Sequence, residues 1–135
     1  MFLLDTMVLS ERGKRRPHEA VSAWLDGTAK GKAYVSVRTF GEIAAGIAKK
    51  RVSDPVFATR LQAWASDAQA DLGDRTLPVT MAIALRWGEL ATRLNRRDPD
   101  LLIAATALEH DLTVATRNVR HFEPTGAKLF NPYEA

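Results

Sequence analysis

The chain opens on an apolar triplet, Phe2-Leu3-Leu4, cut off at once by Asp5-Thr6. A short apolar run that ends on a polar tip reads as a buried strand whose last residue faces a turn. Ala33-Tyr34-Val35, residues 75–79, residues 112–116 and residues 127–130 repeat the pattern. The run at 75–79 contains Pro78, which lacks an N–H for a ladder and suits an edge or a strand end. Between these runs the apolar period lengthens to that of a helix. Val21, Trp24 and Leu25 mark one face, with Gly27 and Gly31 closing it. Ser36 is placed to cap a second helix, with Val37, Phe40, Ala44, Ile47 and Ala48 as its apolar face.

Asp54-Pro55 combines a capping side chain with proline at the first helical position, and Phe57, Leu61, Trp64, Ala68 and Leu72 follow at helical spacing. Thr80 caps a helix carrying Ile83, Trp87, Leu90 and Leu94. Asp98-Pro99 repeats the cap-plus-proline signal and opens residues 100–110, apolar nearly all round and so a buried helix. Residues 12–17, Arg-Gly-Lys-Arg-Arg-Pro, read as a loop. Short apolar strands alternating with helices predict an α/β fold, a mainly parallel sheet covered on both faces. In such sheets sites form outside the carboxyl ends of the strands, where Asp5 and Thr116 both stand.

Composition narrows this little. At 135 residues the chain predicts one domain, residues 1–135, with 46% hydrophobic and 26% charged residues. The absence of cysteine excludes a disulfide framework, a thiolate metal site and a cysteine nucleophile. No run approaches the ~18 apolar residues of a membrane span, and the first triplet is too short for a secretory leader, so a cytoplasmic protein is expected. A net charge of +3 suits nucleic acid without requiring it.

The chemistry lies in three carboxylates. Asp5 ends a hydrophobic strand, Glu42 has Ala45 and Gly46 beside it on its helix, and Asp100 opens a buried helix. Each has a structural reading: Asp5 as a turn or cap residue, Glu42 as a solvated helix residue, Asp100 as a charge favoured at a helix N-terminus. Asp98 has the stronger claim as a helix cap and is set apart from them. If the sheet brings the three together their charges repel, and a divalent cation with oxygen ligands, Mg²⁺ or Mn²⁺, relieves the conflict. Phosphatase chemistry through an aspartyl-phosphate on Asp5 would want a second acid two residues on, where Met7 stands.

The segments Leu3-Leu4-Asp5-Thr6, Val8-Leu9-Ser10-Glu11, Gly41-Glu42-Ile43, Asp100-Leu101-Leu102-Ile103-Ala104-Ala105-Thr106-Ala107 and Thr116-Arg117-Asn118 resemble, in order and separation, the successive motifs of PIN-domain proteins. They are most similar to the VapC-type toxins of bacterial toxin–antitoxin pairs. The resemblance implies a three-layer α/β/α fold, a Mg²⁺- or Mn²⁺-dependent endoribonuclease in which metal-activated water attacks an RNA phosphodiester, a homodimer and a small antitoxin partner. It carries the family's three acids onto Asp5, Glu42 and Asp100 as catalytic residues, with Asp5 and Asp100 holding the metal.

Two departures stand out. Asn118 occupies the place of a fourth acid in many relatives, with His121, where Asp is common, three residues on. Met7 replaces a small polar residue and is expected to pack beneath the strand end. Asn118 motivates an alternative, a non-catalytic module of this fold that binds RNA or a protein partner. Thr6, Ser36 and Thr116 are candidate hydroxyls supporting the acids, and Asn118 and His121 candidate auxiliary groups. Arg12, Lys14, Arg15 and Arg16 on the loop, with Arg117 and Arg120 around Asn118, are candidate contacts to RNA phosphates, with a solvated surface as the competing reading for the loop.

Overall fold

The computed structural model describes residues 1–135. Five strands, β1 (Phe2–Leu4), β2 (Ala33–Ser36), β3 (Thr76–Leu77), β4 (Thr113–Ala115) and β5 (Lys128–Phe130), form one sheet in the order β3-β2-β1-β4-β5. Every neighbouring pair is parallel, with Phe2 opposite Ala33 on one side and Thr113 on the other. The chain therefore builds outward from β1 in one direction, then crosses back and builds outward in the other. That reversal puts a switch point between β1 and β4, where a crevice opens beyond the carboxyl ends of the strands.

Because successive strand residues face opposite sides, each strand feeds two cores. Leu4, Val35 and Ala115 pack on one face with residues from α1 (Thr6–Ser10), α2 (Glu19–Asp26), α3 (Val37–Ser53) and α4 (Pro55–Leu72). Leu3 and Val114 pack on the other with α5 (Met81–Leu94), α6 (Asp100–His110) and α7 (Val119–Phe122). The result is the three-layer α/β/α arrangement. In α6, Leu101 and the run Ile103 to Ala107 are all buried, since the helix is enclosed between the sheet and α5.

Three caps form as the sequence predicts. Ser36 Oγ accepts from Arg38 N–H at 3.2 Å, Asp54 Oδ1 from Phe57 N–H at 3.2 Å, and Thr80 Oγ1 from Ile83 N–H at 3.2 Å. Other expectations are corrected. α3 buries Thr39, Ile43 and Ile47, while Val37, Ala44 and Ala48 are exposed. The buried stripe is thus offset from the more apolar-looking one, because Thr39 turns its side chain inward against α1 and the Thr6 hydroxyl. β3 is only two residues long, ending before Pro78. The short helix α1 and a 3-10 turn at Glu11–Gly13 follow the first strand's end and run into the stretch that reads as loop, and α7 forms where the pattern gives no element. Each is too short to display a helical period.

Candidate metal centre

Asp5 leaves β1 at the switch point and caps α1. It is only 5% exposed, and both of its oxygens are engaged. Oδ1 accepts the Thr6 N–H at 2.8 Å, and Oδ2 accepts the Thr116 hydroxyl from the end of β4 at 2.8 Å. Burial pushes the Asp5 carboxyl above its ordinary range. The two hydrogen bonds oppose that rise, and the negative charge of Glu42 adds to it.

Asp100 is the first residue of α6 and half-buried. Its carboxyl is also raised, by burial first and then by the charge of Asp5, with Asp98 and Glu42 adding and His121 opposing. The three acids thus share one electrostatic field. Glu42, half-buried on α3, has Arg38 Nε 3.6 Å from Oε1, too far for a hydrogen bond, and that buried Nε has no other partner.

Asp98 is corrected. Pro99 occupies the cap position of α6, and no side chain caps the helix. The Asp98 carboxylate is instead gripped by Arg96, Nε to Oδ1 at 2.8 Å and Nη2 to Oδ2 at 2.9 Å, because a bidentate guanidinium is a stronger partner than one N–H. Arg96 holds the Asp98 carboxyl down at about 2. His121 Nε2 lies 3.0 Å from Asp98 Oδ2 and 3.2 Å from Asp100 Oδ2, and Arg96 Nη1 donates to the His121 carbonyl at 2.9 Å. One ligand atom each of Asp98, Asp100 and His121 falls within 4.8 Å of the others. Neither Arg96 nor Asp98 stands out in the sequence as a site residue. The one available signal is their spacing, which allows a local fork, and the Asp-Pro cap pattern masks it.

The donor set fits a hard divalent cation. All three acids offer oxygen, and the carboxyls of Asp5 and Asp100 are raised, by burial first and by neighbouring negative charge after it, a cost that a bound cation would relieve. Asp98 is already balanced by Arg96 and would be a weaker ligand.

A family model described as the PIN domain matches residues 2–127. The chain belongs to the PIN-domain family. It is 35% identical to the plasmid stability protein StbB of Pseudomonas syringae pv. tomato, with all of both chains covered. It is 33% identical to the VapC ribonuclease Y4jK of Sinorhizobium fredii, with 99% of each covered. Among solved structures, FitAcB from Neisseria gonorrhoeae superposes with a TM-score of 0.76 at 29% identity over 100% of both chains.

The remaining candidates in this PIN domain are placed as follows. Thr116 is buried, and its hydroxyl both donates to Asp5 and accepts the Asn118 N–H at 3.0 Å. Thr6 reaches Asp5 through its backbone N–H, while its hydroxyl donates to Thr39 Oγ1 at 3.4 Å, and Ser36 caps α3. Asn118 is exposed, and its backbone carbonyl accepts from His121 N–H at 3.1 Å. Met7 is 42% exposed instead of packed beneath the strand, since α1 turns it outward.

The basic loop binds its own chain's acids: Arg12 to Asp26 at 2.8 Å, Lys14 to Glu11 at 3.0 Å, and Arg15 to Asp54 at 2.8 Å with its guanidinium over Phe57. Arg16 and Arg120 are exposed, and no carboxylate pairs with them. Arg117 stands 4.6 Å from the centre of the Tyr133 ring.

Proposed function

We propose that this PIN domain, residues 1–135, is a Mg²⁺- or Mn²⁺-dependent endoribonuclease acting as the toxin of a toxin–antitoxin pair. One observation carries the reading: Asp5, Glu42 and Asp100, far apart in sequence, share one field at the switch point of a parallel sheet, with Asp5 and Asp100 raised by burial and charge. The names of its relatives, a VapC ribonuclease among them, support the same direction.

Asp5 and Asp100 would hold the metal, with Glu42 as the third acid. A bound divalent cation would supply charge for the phosphoryl transition state and acidify water. The chain's own residues hold the acids in place. The Thr6 N–H and the Thr116 hydroxyl fix both oxygens of Asp5, so its orientation needs no reorganisation when RNA arrives. Asp100 rides on an enclosed helix that cannot shift without breaking the core. His121 stands beside Asp100 Oδ2 and limits where that carboxylate turns.

The proposal extends to a cytoplasmic homodimer with a cognate antitoxin. That partner would insert an Arg or Lys side chain among the acids and displace the metal charge. No helix here is long and apolar enough to cross a membrane.

The test is to incubate RNA with purified protein and Mg²⁺ or Mn²⁺, beside an EDTA control and Asp5→Asn. Metal-dependent cleavage that Asp5→Asn abolishes is the expected result. Cleavage undiminished in EDTA or in the variant overturns it. Calorimetric Mn²⁺ binding that Asp100→Ala removes separates this reading from a non-catalytic module of the same fold.

A further inference from the structure

The basic side chains that sequence offers as phosphate contacts differ in what their donors are doing. Arg12, Lys14 and Arg15 direct theirs at Asp26, Glu11 and Asp54. Arg117 makes no ion pair and no side-chain hydrogen bond, yet its guanidinium carbon lies over the Tyr133 ring, 4.6 Å from the ring centre. A cation held over an aromatic ring is attracted by the ring face and spends none of its N–H donors on a carboxylate or carbonyl, so they are available to a phosphate.

The ring is itself fixed from several sides. The Tyr133 hydroxyl donates to Glu11 Oε2 at 2.9 Å, and its N–H donates to Asn131 Oδ1 at 3.0 Å. The His18 ring meets it edge-on at 5.0 Å. Glu11 is buried, and it also accepts from Lys14 Nζ and from the His18 N–H, each at 3.0 Å. The anchor therefore joins the C-terminal turn (Pro132–Glu134) to the turn after α1.

Arg117 is anchored at its other end too. It follows Thr116, whose hydroxyl binds Asp5 and the Asn118 N–H, so its backbone is pinned at the rim of the acidic site.

We propose that the C-terminal turn, through Tyr133, holds the Arg117 guanidinium at the edge of the Asp5 site as an arm that grips an RNA backbone phosphate. Arg117 makes the contact, and Tyr133 is a positioning residue. This rests on the ribonuclease reading above.

The experiment uses the full chain and a fluorescein-labelled single-stranded RNA, with binding measured by anisotropy across a salt series in the Asp5→Asn background. Arg117→Ala is expected to weaken binding roughly fivefold at low salt and to flatten the dependence of log K on log salt by about 0.7, the share of one phosphate contact on a single strand. Tyr133→Leu should reproduce both effects, and the double variant should be no worse than either alone. Tyr133→Phe keeps the ring and should recover most of the binding.

In cleavage assays with Asp5 intact, Arg117→Ala and Tyr133→Leu should raise KM with little change in kcat. Melting curves establish that each variant is folded. If Tyr133→Leu does not fold, Arg117→Ala and Tyr133→Phe decide the matter alone. An unchanged salt slope in Arg117→Ala, or additive losses in the double variant, overturns the arm while wild-type cleavage stands. Wild-type protein that neither binds nor cleaves RNA overturns the underlying reading and the arm with it.

Discussion

Thr116 and Asp5, 111 residues apart in sequence, are joined by a hydrogen bond in which the threonine hydroxyl donates to Asp5 Oδ2 at 2.8 Å. The bond spans the two strand ends between which the sheet reverses its order. A buried acid at that position must be oriented by something, and this hydroxyl and the Thr6 N–H are what orient it.

Thr116→Val keeps the side-chain shape and removes the donor. It is expected to destabilise the metal-free protein by about 1–2 kcal/mol and to push the Asp5 carboxyl higher still, since a lowering influence is lost. Mn²⁺ affinity should fall about 10–100-fold, as when an outer partner of a metal ligand is removed. Urea titration and calorimetry read the two effects. Unchanged metal affinity would show that Thr116 does not support the ligand.

The raised carboxyls of Asp5 and Asp100 fix the sign of a pH effect. An acid raised on folding holds its proton longer in the native state, so native stability falls as pH rises from the unfolded value through the folded one. In metal-free protein at pH 7, Asp100→Asn should therefore melt a few degrees higher than wild type, and the difference should close as pH falls below about 4. Saturating Mn²⁺ should reverse the order, since only wild type gains the bound ion. A lower melting temperature for Asp100→Asn without metal would contradict the charge conflict.

The fold was legible because the hydrophobic pattern reports burial directly. The strands of β1, β2, β4 and β5, the long helices and three of their caps follow from apolar spacing and capping chemistry. What the pattern hid has physical reasons. Thr39 is buried although it is polar, so the inward stripe of α3 was misplaced. Asp98 looks like a cap because its neighbour is proline, but its real partner, Arg96, is chosen by tertiary geometry through His121. The three acids could be named in sequence, but their shared field depends on sheet order, which no local pattern encodes. Likewise the pairing of Glu11, inside one of the family-like segments, with Tyr133, inside none, depends on the fold bringing the two ends of the chain together.

The Arg96–Asp98 fork gives an acid-limb prediction of opposite sign. A carboxyl held down at about 2, against 3.8 unperturbed, adds stability above its unfolded value and loses it as pH falls toward the folded one. The full shift corresponds to about 2.4 kcal/mol, and with the Asp98 side chain 31% exposed, solvent screening reduces this to about 1 kcal/mol. Arg96→Ala should cost about that much at pH 7, and the loss should fade between about pH 4 and pH 2. Chemical denaturation at several pH values checks it, and a cost independent of pH would assign the effect to lost packing.

Phe122 supplies the last test, because it ties the position of His121 to the core. It is fully buried, at the end of α7, packed with Leu3, Ile103 and Val114, and its ring lies edge-on to His121 at 6.2 Å. Phe122→Ala should cost about 3–5 kcal/mol, the range for emptying a buried aromatic site. Phe122→Leu retains more of the volume and should cost less. Because α7 carries His121 to within 3.2 Å of Asp100 Oδ2, the loosened helix should also weaken Mn²⁺ binding, read by calorimetry. Mn²⁺ affinity identical in Phe122→Leu and wild type, with stability reduced, would show that the core holds the helix without governing the site.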